Sequence, residues 1–443
     1  MKYLPLSPKD VGEMLAAVGV KDLDGLFSNI PDSLKFKTKL DIPEALSEIE
    51  LRRVVGNYSQ ENADATKTIC FAGGTCYYHY IPSAIDYLAA LPELLTAYTP
   101  YQPELSQGTL TAIFEFQTIM TNLTGHPISN ASLYDGSTGV CEAARMAVRD
   151  SDKCAVAISE LCHPEYIETL KTFASFAGFE VKVIPAKGTH TDIDKVKEVT
   201  KSVAAVIVQS PNVMGTIEDV EELVKATKTE PTFFIQVITE TLSLGMLKRP
   251  ADMGVDICTG DAQSFGNHLM FGGPHLGFLT VTNEFLRKIP GRIVGESVDR
   301  NGTRSLTLTL RPREQDIKRE KATSNICTNN SNTMLRALIY LMLMGKQGIK
   351  EVAQQNFDKT HYFADTAKKA GLQIANDGEF FNEVTIRLPK MPTNFKEDML
   401  EKGFVVTATK YEKDANLLTV AVTEMITKDE IDAFVNALAE VAL

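Results

Sequence analysis

Short apolar segments alternate with helical stretches through the middle of the chain, and this alternation restricts the possible folds more than any other feature. The apolar segments are residues 154–159, 179–184, 204–209, 233–238, 255–259 and 276–281. Strands that are apolar along their whole length and separated by helices are typical of a parallel sheet that is buried on both faces. We therefore predict a large α/β domain with a mostly parallel sheet, a description that several unrelated α/β folds share.

The N-terminal part of the chain has a different pattern. Ser7, Pro8 and Asp10 form a helix-start signature, and apolar residues follow it at helical spacing. Since 443 residues are too many for one simple core, we predict that residues 1–70 are a separate, mainly helical segment and that residues 71–330 form the large α/β domain.

The pattern changes again after residue 330. An apolar helix is predicted from Ser331 to Met344, and a second helix begins beyond residue 350. Alternating strands are predicted at residues 383–388, 404–408 and 417–422, before a last helix from residue 428. Residues 331–443 are therefore predicted to be a connecting helix and a small α+β C-terminal domain.

The overall composition argues against several classes of partner. The chain carries a net charge of −12, whereas nucleic acids and anionic membranes are bound by basic surfaces. It contains no apolar run of about 18 residues, so no transmembrane helix is expected. The first residues lack the apolar core of a signal peptide. We expect a cytoplasmic protein that binds neither nucleic acid nor membrane.

The seven cysteines are predicted to be buried free thiols in a reducing compartment. Their number is odd, none forms a Cys-x-x-Cys pair, and Cys154 and Cys258 lie in apolar segments. The sequence also lacks the paired Cys/His and His-Glu-x-x-His spacings of zinc sites. No metal is therefore expected.

A turn of small polar residues precedes a helix with a small-residue face. The turn is Asp135-Gly136-Ser137-Thr138. Its backbone N–H groups and hydroxyls, together with the positive end of the helix dipole, suit a phosphate. A plain helix cap at Asp135 is an equally good interpretation.

Four blocks of sequence, in consistent order along the chain, resemble the glycine-cleavage P-protein family. They are residues 73–82 (GGTCYYHYIP), the proline- and tyrosine-rich segment with its two helices at residues 98–149, residues 264–274, and residues 321–328 (KATSNICT). That family occurs as one long chain or as two subunits, and this chain resembles the N-terminal half, the alpha subunit. The resemblance implies a fold-type I pyridoxal-phosphate-enzyme fold, with a large, mostly parallel, seven-stranded-type sheet and an active site at a dimer interface.

The resemblance also implies that this chain lacks two parts of such a site. Fold-type I enzymes need a lysine for the Schiff base and an acid for the pyridinium nitrogen. By approximate alignment the lysine position falls near Gln263, and no lysine lies between Lys248 and Lys288. Glu240 stands where the family's long chains have aspartate. The residues expected to contact the cofactor are Asp135, Gly136, Ser137, Thr138, Thr323 and Ser324.

The chain is therefore expected to line the active site of a homologous beta subunit that holds the pyridoxal phosphate covalently. Tyr77, Tyr78 and His79 are the residues expected to enter that site, with His79 suited to proton handling; a merely packed histidine is equally consistent. The resemblance implies an α2β2 complex that decarboxylates glycine, releases CO2 and passes the aminomethyl group to the lipoyl group of H-protein.

Two alternatives stay open at this point. One is a self-sufficient pyridoxal-phosphate enzyme that uses another lysine, of which Lys248 is the nearest. The other is a purely structural scaffold with no residue in any active site. His163 follows the first predicted strand, where this fold places a ring-stacking group, and in a degenerate cleft we expect it to be structural.

Overall fold

The computed structural model describes residues 5–270, 272–407 and 414–442, and the chain divides into two compact units, Met1–Ala63 and Asp64–Leu443. The α-helices are α1 (Pro8–Val18), α2 (Glu48–Gln60), α3 (Ser83–Ala89), α4 (Pro92–Leu95), α5 (Gln107–Thr124), α6 (Gly136–Arg149), α7 (Pro164–Ala177), α8 (Ile193–Val199), α9 (Val220–Thr227), α10 (Gln315–Lys318), α11 (Ser331–Lys369), α12 (Phe395–Glu401) and α13 (Lys428–Ala442). The strands are β1 (Ile69–Cys70), β2 (Ile128–Ser129), β3 (Ala155–Ser159), β4 (Glu180–Ile184), β5 (Ala186–Lys187), β6 (His190–Thr191), β7 (Ala205–Gln209), β8 (Phe233–Ile238), β9 (Ile257–Asp261), β10 (Gly277–Val281), β11 (Val294–Val298), β12 (Arg304–Leu308), β13 (Gln373–Ile374), β14 (Glu383–Arg387), β15 (Phe404–Val405) and β16 (Leu417–Ala421).

The N-terminal unit contains helices α1 and α2. Helix α1 begins as predicted, because the Ser7 side chain accepts the Asp10 N–H while the Asp10 carboxylate accepts the Ser7 N–H. Ser47 and Glu50 form the same reciprocal cap at α2. No residue from 5 to 63 is buried, and apolar side chains such as that of Met14 are exposed. Local capping therefore defines these helices without a core of their own.

The central sheet has seven strands in the order β2-β10-β9-β8-β7-β3-β4. Neighbouring strands from β4 through β3, β7 and β8 to β9 are parallel, whereas β10 is antiparallel to both β9 and β2. The six predicted apolar segments coincide with β3, β4, β7, β8, β9 and β10, with ends that differ by at most two residues. The predicted α/β fold with a mostly parallel sheet is confirmed.

Helices cover both faces of this sheet, as the uninterrupted apolar strands require. Val206 and Val208 of β7 pack in a cluster with residues of α5 and α11, whereas Ala205 and Ile207 pack in another cluster with α6 and α7. Alternate side chains of one strand thus enter opposite layers of the core.

The C-terminal region forms a second sheet, in which β14 pairs with both β13 and β16 in antiparallel register. Strand β15 lies elsewhere, parallel to β1, with Ile69 opposite Phe404. Phe71 stacks on Phe434 of α13 with ring centroids 3.8 Å apart. The residues around position 70 thus belong to the C-terminal core, while the division at residues 70 and 330 stays a prediction. Ala408, at the end of a predicted strand, lies outside the described residues.

Helix α11 is broken at Gly345, where φ is 59° and ψ is −176°. A residue without Cβ adopts such a positive φ without steric cost, and the helix predicted from Ser331 to Met344 ends at this break. Leu335 and Leu338 of this helix are buried, whereas Met342 is exposed.

The cysteine prediction is partly wrong. All seven are free thiols, but Cys154 and Cys327 are exposed. Cys154 precedes β3 by one residue, so it lies at the accessible end of the strand and not in the interior of the sheet. Burial raises the pKa of the Cys141 thiol to about 12.

Among the described residues, no helix is both long and apolar enough to span a membrane.

Candidate functional site

The carboxyl ends of the parallel strands form the edge at which α/β folds bind their ligands. His163 begins α7 just after β3, and its backbone N–H donates to Gln209 Oε1 at the end of β7 (2.9 Å). Gln209 Nε2 donates in turn to Thr239 Oγ1 after β8 (3.3 Å). The buried His163 ring accepts the N–H of Glu165 (3.2 Å). His163 thus caps a helix and helps join three strand ends, in agreement with the structural role expected of it.

Glu240, which follows β8, is paired with a histidine of the same chain. His79 Nε2 lies 2.9 Å from Glu240 Oε2, and His79 Nδ1 lies 2.9 Å from Glu424 Oε2. Asn382 Nδ2 also donates to Glu240 (3.2 Å). Burial opposes the charged imidazolium, but the Glu424 and Glu240 carboxylates outweigh it and raise the pKa of His79 to about 10. The result is a protonated ring between two buried carboxylates.

The glycine-rich segment before His79 is held by a third buried carboxylate. Glu383 accepts the Gly74 N–H (2.5 Å) and the Tyr77 hydroxyl (2.9 Å). A Cβ at Gly73 would collide with the Glu383 carboxylate in its present position, so glycine permits this close approach. Burial raises the pKa of Glu383 to about 7. Tyr78 is only partly buried, whereas Tyr77 and His79 are buried.

The predicted phosphate turn is satisfied by the chain's own carboxylates. Asp135 is the N-cap of α6 and accepts both the Thr138 N–H and the Ser137 hydroxyl, each at 2.7 Å. The Gly136 N–H donates to Asp261 Oδ2 (3.2 Å). Two negative groups therefore occupy the donors that a phosphate would use.

The turn after β9 carries Gln263, near which the lysine position was expected from the family resemblance. Its backbone N–H donates to Asp261 Oδ1 (2.9 Å), its side-chain amide donates to Asn267 O (2.5 Å), and it is buried. Lys248 lies on the surface, where its ammonium pairs with Glu221 of α9 and its side chain is 54% exposed. A half-exposed lysine on this surface is a poor candidate for a buried Schiff base.

Thr323 and Ser324 lie beside the middle of α6. Thr323 lines a cavity of about 330 Å³ with Glu142, Arg145 and Arg149. Burial raises the pKa of Glu142 to about 7, although a hydrogen bond from Ser324 opposes the shift. Their predicted contact with the cofactor, like that of the Asp135–Thr138 turn, stays a prediction.

Pyridoxal phosphate does not fit the cleft of this chain. The strand-end turn provides Gln263 and no amine, the acid Glu240 already holds His79 and Asn382, and the helix start carries the carboxylates of Asp135 and Asp261. A phosphate beside those carboxylates would be repelled.

The chain matches the family model described as glycine cleavage system P-protein over residues 1–438. The chain belongs to the P-protein family. It is similar to the probable glycine dehydrogenase (decarboxylating) subunit 1 of Listeria innocua, with 43% identity over 99% of this chain and 98% of that protein. The Bacillus licheniformis protein of the same name is 44% identical and is matched over 99% of both chains.

Solved structures agree with the P-protein assignment. A crystal structure of glycine decarboxylase (P-protein) of the glycine cleavage system, in inhibitor-bound form, superposes with a TM-score of 0.90 at 38% identity and covers 100% of both chains. A NifS-like protein superposes with a TM-score of 0.63 at 14% identity, over 84% of this chain and 99% of that one, which shows the fold alone. The fold is that of the fold-type I pyridoxal-phosphate enzymes.

Sequence reasoning on this P-protein chain located His79 and Glu240 but missed the residues that bind them. Glu424 and Asn382 come from the C-terminal region, as does Glu383, which binds Tyr77, and the three lie 142 to 345 positions away from their partners in the chain. None of them stands in a motif. The only local signal was the position of Glu424, two residues after the alternating strand predicted at residues 417–422.

Proposed function

We propose that this chain is the subunit of glycine decarboxylase that does not hold the cofactor covalently. In this proposal a homologous subunit 2 carries pyridoxal phosphate on its lysine, and the assembled complex decarboxylates glycine, releases CO2 and transfers the aminomethyl group to the lipoyl group of H-protein. The observation that carries it is the cleft of this chain, where Gln263 replaces an amine and His79 occupies the acid Glu240. Membership of the P-protein family supports the proposed reaction. The cleft of this chain supports the proposal that subunit 2, and not this chain, binds the cofactor covalently.

The need for a partner subunit is supported by the N-terminal unit. This unit leaves apolar side chains exposed, including those of Leu34 and Phe36 between its helices and of Ile49 in α2, and such surfaces mark protein interfaces. The relatives that carry the name subunit 1 support the same reading. We propose an α2β2 assembly in the cytoplasm, with an interface of more than about 2,000 Å².

Within that assembly, we propose that Tyr77 and His79 act as positioning residues. Both ring nitrogens of His79 and the hydroxyl of Tyr77 are already bound to buried carboxylates. These bonds hold the glycine-rich segment in one conformation, from which Tyr78, the least buried of the three, is best placed to reach a neighbouring subunit's site.

One experiment tests which subunit binds the cofactor covalently. The full-length chain and subunit 2 are incubated with pyridoxal phosphate, separately and together, then reduced with borohydride and mapped by mass spectrometry. We expect a stoichiometric pyridoxyl-lysine on subunit 2 and none on this chain, and glycine–CO2 exchange only in the mixture. A stoichiometric pyridoxyl group on Lys248 or another lysine of this chain would refute the proposal.

A further inference from the structure

A cysteine, a histidine and an aspartate meet in the cleft of this chain, at a place that the proposed function does not use. Cys76 Sγ lies 3.8 Å from His275 Nε2, and His275 Nδ1 lies 3.1 Å from Asp261 Oδ2. Cys76 comes from the glycine-rich segment, His275 from the loop just before β10, and Asp261 from the end of β9. A nucleophile next to a base that is oriented by a third group is the arrangement of nucleophilic catalysis and of reactive thiols.

The aspartate is held so that it orients the imidazole. Asp261 is buried, and its carboxylate accepts the backbone N–H groups of Gln263 (2.9 Å) and Gly136 (3.2 Å). The same carboxylate lies within hydrogen-bond distance of His275 Nδ1, so that the other ring nitrogen, Nε2, faces the sulfur of Cys76. The hydrogen bond that the imidazole donates to Asp261, together with its contact with Cys76, raises the pKa of His275 to about 10.

The backbone beside the cysteine is strained. Thr75 has a φ of 82°, in the left-handed region that a β-branched residue rarely adopts. Thr75 is buried, whereas Cys76 and His275 are partly accessible. Strained backbone that persists at one point is typical of sites where a side chain must be presented in a particular direction, and here it presents the thiol to the imidazole.

We infer that Cys76, His275 and Asp261 form a nucleophilic thiol–imidazole site that reacts with small uncharged electrophiles, of which hydroperoxides are the proposed class. The thiolate sulfur attacks the terminal oxygen of the hydroperoxide, an S–O bond forms, and the O–O bond breaks. The leaving alkoxide or hydroxide takes the Nε2 proton of His275 and departs as an alcohol or water. Sulfur is oxidised by two electrons to the sulfenic acid and the peroxide is reduced.

The surrounding charges favour uncharged reactants. Besides Asp261, the carboxylate of Asp135 and the phenol of Tyr166 face this cluster from α6 and α7, and Tyr77 faces Cys76 within its own segment. Burial raises the pKa of the Tyr166 hydroxyl, so it stays neutral. The carboxylates of Asp135 and Asp261 would repel an anionic electrophile, whereas hydrogen peroxide has no charge.

The test compares two thiols within one chain. Full-length protein is treated with limiting iodoacetamide at pH 6 and at pH 9, and each alkylated cysteine is quantified by mass spectrometry, with the exposed Cys154 as the reference. At pH 6 we expect Cys76 to react about tenfold faster than Cys154 although it is less exposed, because an imidazolium stabilises the thiolate. The ratio should fall toward pH 9, where an ordinary thiol also ionises.

Two variants separate ionisation from accessibility. His275→Gln and Asp261→Asn should each lower the Cys76 rate at pH 6 about tenfold, while the Cys154 rate stays unchanged and reports a folded chain. With hydrogen peroxide and a dimedone trap, wild type should be labelled at Cys76 before Cys154. Cys76 reacting no faster than Cys154 at pH 6 in the wild-type chain would overturn the inference, with no need for a variant. The assay uses neither cofactor nor partner, so its failure leaves the proposed function untouched.

Discussion

Replacing His79 by alanine removes the cation from a buried cluster of one histidine and two glutamates. The side chains of His79, Glu240 and Glu424 are 2%, 1% and 8% exposed. In H79A both carboxylates remain inside the protein and keep neutral donors, which are Asn382 and the Leu242 N–H for Glu240 and the Tyr80 N–H for Glu424. Water cannot easily compensate at this depth.

The expected cost follows from that burial. Removing one partner of a buried ion pair costs about 3–5 kcal/mol, because an uncompensated charge is left behind. The control is His268→Ala, whose ring pairs with Asp86 at the surface, with the two side chains 46% and 53% exposed. An exposed pair contributes about 0–1 kcal/mol. The loss of unfolding free energy on replacing histidine by alanine should therefore be larger at position 79 than at position 268 by about 2 kcal/mol or more.

Urea unfolding of the full-length chain at pH 7, followed by circular dichroism, measures this difference. The double variant H79A/E240Q should recover part of the loss, since a neutral amide needs no counter-ion. An H79A variant within 1 kcal/mol of H268A would refute the reasoning. Glycine–CO2 exchange in the complex with subunit 2 adds a second readout. As a positioning residue, His79 should affect assembly, with near-normal turnover in whatever complex forms; a loss of about 10²-fold with full assembly would instead indicate a proton-transfer role.

Two further predictions concern pH and packing. The pKa of His79 is raised to about 10 in the folded chain against about 6.5 when unfolded, so its contribution is complete below about pH 6.5 and is lost as the pH rises through 10. The difference in unfolding free energy between wild type and His79→Gln should therefore shrink from pH 7 to pH 9.5, and a constant difference would contradict the ion pair. Gly139→Ala should destabilise the chain by about 1–3 kcal/mol, because its Cβ would meet the Thr259 hydroxyl. Gly108→Ala, with no described atom within 4 Å of its Cβ, should be neutral or stabilising by up to about 1 kcal/mol; thermal unfolding of the two variants checks both values.

The elements of the fold were predictable because their signals are local. A strand buried on both faces is apolar along its length, as in β3 and β7, and a helix that begins with a reciprocal cap shows that cap within four residues, as Ser7 and Asp10 do. The lack of a lysine near Gln263 is also visible in the sequence, because no packing arrangement can supply an amine that the chain does not contain there.

The contacts of the site depend on residues far apart in the chain, and only the tertiary structure decides them. Whether Glu240 faces a cofactor or a histidine depends on the packing of the C-terminal region, which brings Glu424 to His79 across 345 positions. The same packing pairs β15 with β1 and not with the C-terminal sheet.

The sequence by itself therefore determined the α/β architecture, the helix caps and the missing amine, since each is a property of one short segment. The tertiary structure decided that Asp261 accepts the Gly136 N–H in the Asp135–Thr138 turn, and that Cys76 faces His275 across 199 positions. The physical reason is that burial periodicity and capping act over a few residues, whereas charge pairing inside a protein depends on which surfaces the whole core brings together.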